Sequence, residues 1–295
     1  MSIGESVGSA SRVPVIMGIL NVTPDSFSDG GSWLPHDAAV RHALALVEQG
    51  ADIIDIGGES TRPGAVPVDA VTETARILPV VRELVARGVR VSVDTLHANT
   101  AQLAIDEGVE FINDVSGGLA DARMAEVVAA SRATFIAAHW GGGADARYRH
   151  PDIAAGVRWD LHDRAVALHG AGIGRDRLIL DPGLGFGKDG DANWRLLSRL
   201  DQLTILGFRV LVGHSRKRFV GALLPESAPM GLRDAPSAVI SVLAAQAGAW
   251  GVRVHDVAAT RLAFDVLARW QNASVPELLP EEPDLQTELI GLGHA

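Results

Sequence analysis

The sequence predicts an α/β protein, a single (β/α)8 TIM barrel with long loops after the first two strands. Three observations carry this. Short apolar runs rich in Val and Ile recur eight times along 295 residues. A helical pattern separates each run from the next, and the runs are nearly continuous in apolar character, as parallel strands buried on both faces require. A doubly wound open sheet shares this alternation and stands as the alternative.

The expected strands, in order, are Val13 to Asn21, Asp52 to Gly57, Arg90 to Asp94, Phe111 to Asp114, Thr134 to His139, Leu178 to Asp181, Arg209 to Gly213 and Gly251 to His255. Between the first two, Val40, Ala43, Leu44 and Val47 keep a three-and-four spacing, and Gly50 follows as a C-terminal stop. The next helix, between Val68 and Arg87, contains Pro79 and should kink or split. Leu262, Val266, Leu267 and Trp270 repeat the helical spacing near the end. Neither a linker nor a short-period repeat interrupts the pattern. One catalytic domain over residues 13–271 is therefore expected, after a flexible N-terminus (1–12) and before an acidic, Pro- and Glu-rich tail (272–295).

Composition narrows the function. Lys and Arg sum to 26 and Asp and Glu to 36, and a net charge of −10 argues against a nucleic-acid partner. Five of the acids lie after Trp270, so an anionic small substrate stays compatible with the remainder. With no cysteine, disulfides and thiol chemistry are excluded. Met1 to Arg12 lacks the charge and apolar pattern of a secretory leader, and Ala238 to Val254 is too interrupted to span a membrane. A cytoplasmic protein is expected, without a membrane partner.

In a barrel, function sits at the C-terminal ends of the strands. Those ends carry Asn21, Glu59 with Thr61 and Arg62, Asp94, Asn113, His139, Asp181, Ser215 with Lys217, and Arg253 with His255. Any one Asp after a strand is more often a helix cap than a catalyst, but eight polar ends together outweigh that reading. Arg62, Lys217 and Arg253 come from distant segments that a barrel mouth would unite, and converging cations imply an anion. Arg216 and Arg218 read as solvating a helix start. The segment Pro182 to Lys188 fails as a phosphate loop, and Gly213 to Lys217 fails as a nucleophile elbow. No His-Glu-x-x-His pair occurs, so an oxygen-ligated Mg2+ is favoured over zinc.

Four segments resemble dihydropteroate synthases: Asn21 to Gly31, Gly57 to Gly64, Asp181 to Lys188, and Ser215-Arg216-Lys217 with Arg253 to Asp256. The resemblance runs from about Val15 to Trp270. It implies a homodimeric barrel that joins 6-hydroxymethyl-7,8-dihydropterin diphosphate to p-aminobenzoate, releasing diphosphate with help from Mg2+. Carried over to this chain, it implies a catalytic set of Asp29, Asp94, Lys217, Arg253 and His255. The pterin would meet Asp94, Asn113, Asp181, Gly213 and Lys217. The p-aminobenzoate would meet Thr61, Pro63, Phe186, Ser215 and Lys217, in the pocket that sulfonamides target. The diphosphate would lie against Asn21, Arg62, Arg253 and His255, with Asn21 holding the metal.

The chain departs from the family pattern at Ala138, usually Met, at His97, usually Lys or Arg, and at Ser237, usually Thr. Two other readings compete. A noncatalytic pterin-binding paralogue would show no turnover. A methyltetrahydrofolate–corrinoid methyltransferase barrel would need no diphosphate site.

Overall fold

The computed structural model describes residues 13–23, 34–59, 68–141 and 147–273. Eight parallel strands form a closed barrel in sequence order, β1-β2-β3-β4-β5-β6-β7-β8. They are β1 Val15–Asn21, β2 Ile53–Gly57, β3 Val91–Asp94, β4 Phe111–Asp114, β5 Thr134–Ala138, β6 Leu178–Asp181, β7 Arg209–Val212 and β8 Gly251–Val254. Pairing of β1 with both β2 and β8 closes the sheet and removes the open-sheet alternative. The observed strands start or stop one or two residues inside several expected boundaries. At the first, Pro14 has no N–H to give to a ladder, and the pairing begins with the Val15 N–H donating to the Trp250 carbonyl at 2.9 Å.

Ten helices, among the described residues, wrap the barrel: α1 Leu34–Glu48, α2 Ala70–Ala86, α3 Ala98–Asp106, α4 Met124–Ala129, α5 Ile153–Gly170, α6 Gly190–Leu197, α7 Asp201–Thr204, α8 Arg218–Gly221, α9 Asp234–Gln246 and α10 Val257–Ala273. Gly50 after α1 has φ +103°, as a left-handed stop requires. The split at Pro79 does not occur, and α2 runs through it as one helix. Pro79 and Ala75 are both on the exposed side, so the carbonyl that proline leaves without a helical donor faces water. Asp69 starts α2 by accepting from the Val71 and Thr72 N–H groups.

α10 differs from its expected face. Val257, Thr260, Phe264 and Leu267 are buried, whereas Leu262, Val266 and Trp270 are 65%, 61% and 72% exposed. The apolar periodicity therefore belongs to two stripes, only one of which meets the barrel. No helix among the described residues is long and apolar enough to cross a membrane.

The strand register explains where chemistry can sit. Met17, Ile53, Phe111, Ile136, Ile179 and Leu211 form one buried apolar cluster that plugs the barrel interior. Side chains alternate across a strand, so the residue two further on faces the same way. Those residues are Ile19, Asp55, Asn113, Ala138, Asp181 and Gly213. On β2, β4 and β6 that step turns an apolar plug into the polar floor of Asp55, Asn113 and Asp181.

Candidate active site

Arg253 organises that floor. From β8 its Nε donates to Asp55 Oδ2, and its Nη2 donates to Asp94 Oδ2 at 2.7 Å. Asp55 Oδ2 also accepts from Asn113 Nδ2 at 3.2 Å. Burial opposes the guanidinium charge, but Asp55 and Asp94 outweigh it and hold Arg253 above its ordinary pKa. For Asp94 the balance tips the other way. Burial, with repulsion from Asp55, Glu73 and Asp114, outweighs Arg253 and raises its pKa to about 7.

Asp181 ends β6 in the same floor, 7% exposed, with Oδ1 accepting from the Gly183 N–H at 2.6 Å. Burial raises its pKa against the pull of Lys217, the Gly183 N–H and Arg253. Gly213 lies beside it, where a Cβ would come within 3.2 Å of Asp181 Oδ2. The absence of a side chain there keeps that carboxylate oxygen open to the barrel mouth.

Lys217 reaches over the floor from the loop after β7. Its Nζ donates to the Leu184 carbonyl and lies 4.4 Å from the centre of the Phe186 ring. Burial, aided by Arg253, outweighs Asp181 and Asp94 and lowers its pKa to about 8. Gly185, φ +80°, makes room, since a Cβ would stand 3.0 Å from Lys217 Cδ. Two segments on, Ser215 Oγ and His255 Nδ1 are 3.0 Å apart, and the His255 N–H donates to the same Oγ at 3.2 Å.

Of the sequence-predicted residues, Asp94, Asn113, Asp181, Gly213, Lys217 and Arg253 thus meet at the floor. Phe186, Ser215 and His255 line its edge, and Asn21 ends β1 beside Gly57, with its Oδ1 about 4.0 Å from where a Gly57 Cβ would be. Asp29, Thr61, Arg62 and Pro63 lie outside the described residues, as do the terminal segments 1–12 and 274–295. Two expectations change. Arg253 does not enter the mouth as a bare cation, because two carboxylates already share one edge of its guanidinium. Arg216 does not merely solvate a helix start, because it forms a two-bond pair with Asp234.

His139 is also diverted from the mouth. It is 5% exposed, with Nε2 3.0 Å from Asp160 Oδ2 and Nδ1 2.9 Å from Lys188 Nζ. Burial and Lys188 lower its pKa to about 4 despite Asp160, so the Asp160 contact is a hydrogen bond from a neutral ring rather than an ion pair. Nε2 then donates and Nδ1 accepts from Lys188. Lys188 Nζ also donates to the carbonyls of Gly183 at 2.8 Å and Phe186 at 3.1 Å, tying the Phe186 turn to β5. Burial and Lys217 outweigh Asp181 and Asp160 and bring its pKa down to about 7. At Gly183, φ +63°, a Cβ would collide with the His139 carbonyl, so this close approach demands glycine.

Sequence reasoning missed Asp55 and Lys188. Asp55 interrupts the run Ile53-Ile54-Asp55-Ile56, and a carboxylate buried in an apolar strand needs a cationic partner, which is the signal that was available. A groove of about 520 Å3 between α3 and α4 has no part in this site. It opens at the N-terminal ends of β4 and β5, far from the polar floor.

Residues 17–255 match the family model described as pterin binding enzyme. The dihydropteroate synthase of Mycobacterium leprae is 48% identical over 275 residues, covering 89% of this chain and 96% of that protein. The chain belongs to the dihydropteroate synthase family. Dihydropteroate synthases are transferases, and this membership makes the chain a transferase of pterin chemistry. The solved Xanthomonas albilineans dihydropteroate synthase with 4-aminobenzoic acid aligns with a TM-score of 0.83 and 43% identity, covering 90% of this chain and 94% of that one. The same enzyme in complex with 7,8-dihydropteroate aligns at 0.80 and 40% identity, covering 91% and 96%.

Proposed function

We propose that the chain condenses 6-hydroxymethyl-7,8-dihydropterin diphosphate with p-aminobenzoate, giving 7,8-dihydropteroate and diphosphate. The observation that carries this is the polar floor in which Asp181, Asn113, Asp94 and Arg253 converge one step above the apolar plug. Asp181 accepts paired hydrogen bonds from the donor edge of the pterin, and Asn113 offers both a donor and an acceptor to its other edge. The C–O bond to diphosphate breaks first, leaving a pterin-methyl cation. Asp94, with Asp29 from the loop after β1, stabilises the positive carbon, while His255, Arg62 and Arg253 meet the leaving diphosphate. The arylamine then forms the C–N bond and gives its proton to solvent. It is neutral at pH 7, so no general base is needed.

The Ser215 hydroxyl receives the p-aminobenzoate carboxylate, and Phe186 with the Lys217 stem covers its ring, completed by Thr61 and Pro63. Sulfonamides should enter the same pocket. Asn21 presents a neutral oxygen donor, and among the described residues no group of three His, Cys, Asp or Glu side chains could hold a metal. That donor set fits Mg2+, which takes few protein ligands and shares substrate phosphates. When bound, Mg2+ would neutralise charge on the departing diphosphate.

The second stripe of α10 supports a homodimer. α10, on which Leu262, Val266 and Trp270 are exposed, packs beside α9, where Val239 and Leu243 are also exposed, and a second copy would cover both helices. Replacing Leu262 and Val266 by Glu should halve the solution mass, and an unchanged mass would place the contact elsewhere.

The deciding experiment supplies the pterin diphosphate and Mg2+ with and without p-aminobenzoate, and detects diphosphate and dihydropteroate by mass. Product that needs both substrates supports the synthase. Pterin binding without product would favour the noncatalytic paralogue, for which Ala138, buried in the floor next to Asp181 in the register, is the first residue to restore to Met.

A further inference from the structure

Among the described residues other than glycine, Arg216 alone has a positive φ, +57°. A side-chain-bearing residue adopts that region only when its surroundings hold it there. Arg216 stands between Ser215 and Lys217, the two side chains that the proposed function places on p-aminobenzoate. The left-handed step turns the chain between them, so that Ser215 faces His255 while Lys217 reaches Leu184 and the Phe186 ring.

What holds Arg216 comes from one place, the start of α9. Asp234 accepts from Arg216 Nε at 2.6 Å and from Nη2 at 2.7 Å, a two-bond pair with side chains 15% and 30% exposed. The Arg216 N–H donates to Ser237 Oγ at 3.2 Å, and its carbonyl accepts from Arg233 Nη1 at 3.0 Å. Ser237 Oγ donates in turn to the Arg233 carbonyl at 2.6 Å. The Ser237 carbonyl is 2.8 Å from His214 Nε2, so both residues flanking Ser215 are tied to the same turn of helix. Gly221 on α8 leaves the space that the Arg233 guanidinium fills.

We propose that Asp234, assisted by Ser237, is a positioning residue for the p-aminobenzoate half of the site. By holding Arg216 in the left-handed region it fixes where the Ser215 hydroxyl and the Lys217 ammonium point. An exposed ion pair at a helix start would add only stability, and little of it. This pair is partly shielded, forked, and attached to a backbone position that resists its own conformation. The inference rests on the proposed function, because Ser215 and Lys217 must meet substrate for it to matter.

The test measures dihydropteroate formation by the full chain and its Asp234→Ala, Ser237→Ala, Arg216→Ala and Arg216→Gly variants, with thermal melts run alongside. Asp234→Ala should raise the KM for p-aminobenzoate about tenfold, with kcat and the KM for the pterin diphosphate changing about threefold or less. Glycine takes the left-handed region without strain, so Arg216→Gly should lie closer to the parent in p-aminobenzoate KM than Arg216→Ala does. A purely structural pair would lower the melting temperature of the variants and leave the p-aminobenzoate KM of those that fold unchanged. An unchanged KM in Asp234→Ala, or Arg216→Ala equal to or better than Arg216→Gly, would overturn the proposal. If Asp234→Ala does not fold, Ser237→Ala carries the test, with about a threefold rise in KM expected and no rise counting against it. A parent chain that makes no dihydropteroate would overturn the synthase reading itself, before any variant is compared.

Discussion

Replacing Asp55 by Asn tests the electrostatics of the floor most directly. Asp55 and Asp94 share the Nε–Nη2 edge of Arg253, and the Asp55 charge makes Asp94 harder to ionise. Two unit charges roughly 5 Å apart, at an effective dielectric of about 20, repel by ~3 kcal/mol, equivalent to about two pH units. Asparagine keeps an oxygen for Arg253 Nε and removes the charge, so the Asp94 pKa should fall from about 7 by about one to two units. The proposed reaction uses ionised Asp94. In the parent, kcat/KM should therefore drop about fivefold between pH 7 and 6, and in Asp55→Asn this acid limb should move down the pH scale. Stability gives an independent reading. The folded pKa of Asp94 stands above the ordinary aspartate value of 3.8, so the stability it lends is complete below pH 3.8 and is lost as pH rises through about 7. That loss should shrink in Asp55→Asn. An acid limb that stays in place, or moves up, would refute the coupling of these two carboxylates.

Asp181→Ala should weaken pterin binding at least about tenfold, since each charge-assisted hydrogen bond is worth about 1.5–3 kcal/mol, and calorimetry with the pterin would read this. Lys188→Met strands the carbonyls of Gly183 and Phe186 and should destabilise the fold by about 3 kcal/mol, measured by denaturant unfolding. Between pH 7 and 10.5 the unfolded chain keeps a proton that folded Lys188 has released, so its contribution rises with pH, and that rise should vanish in the variant. Sulfonamides should inhibit competitively, and inhibition that added p-aminobenzoate cannot relieve would count against the shared pocket.

The barrel and half of its floor were legible because they follow from local pattern. Asp94, Asn113 and Asp181 each close a short apolar run, and strand ends are where a barrel can afford polar side chains. Asp55 sits inside such a run, and its partner Arg253 is 198 residues away. No spacing along the chain announces that pairing. Lys188 was visible only as the end of a glycine-rich segment, since its role comes from carbonyls that the turn directs back at it. The reading of α10 failed for a different reason. Periodicity reports that a helix has an apolar stripe, but not whether the barrel or another surface receives it, so Leu262, Val266 and Trp270 looked like core. Pro79 broke no helix because burial of Ile77, Val80, Val81 and Leu84 outweighs one lost hydrogen bond whose carbonyl can face water.

The arrangement of charge also bears on which bond breaks first. Asp55, Asp94 and Asp181 lie deep in the mouth with Arg253 held among them, while Ser215 and His255 stand at its edge and Arg62 belongs to the loop after β2. Arg253, committed to two carboxylates, has less to give an anion than a bare guanidinium. A displacement in which the neutral arylamine pushed diphosphate out would put the developing positive charge on the arylamine nitrogen rather than on the pterin carbon, and would draw less on these carboxylates. A reaction that first separates a pterin cation from diphosphate uses the same arrangement well, with carboxylates beneath the cation and donors at the rim for the anion. The floor proposed to recognise the pterin is therefore also suited to stabilising its cation. For that reason Asp94 should affect kcat more than pterin affinity, whereas Asp181 should do the reverse.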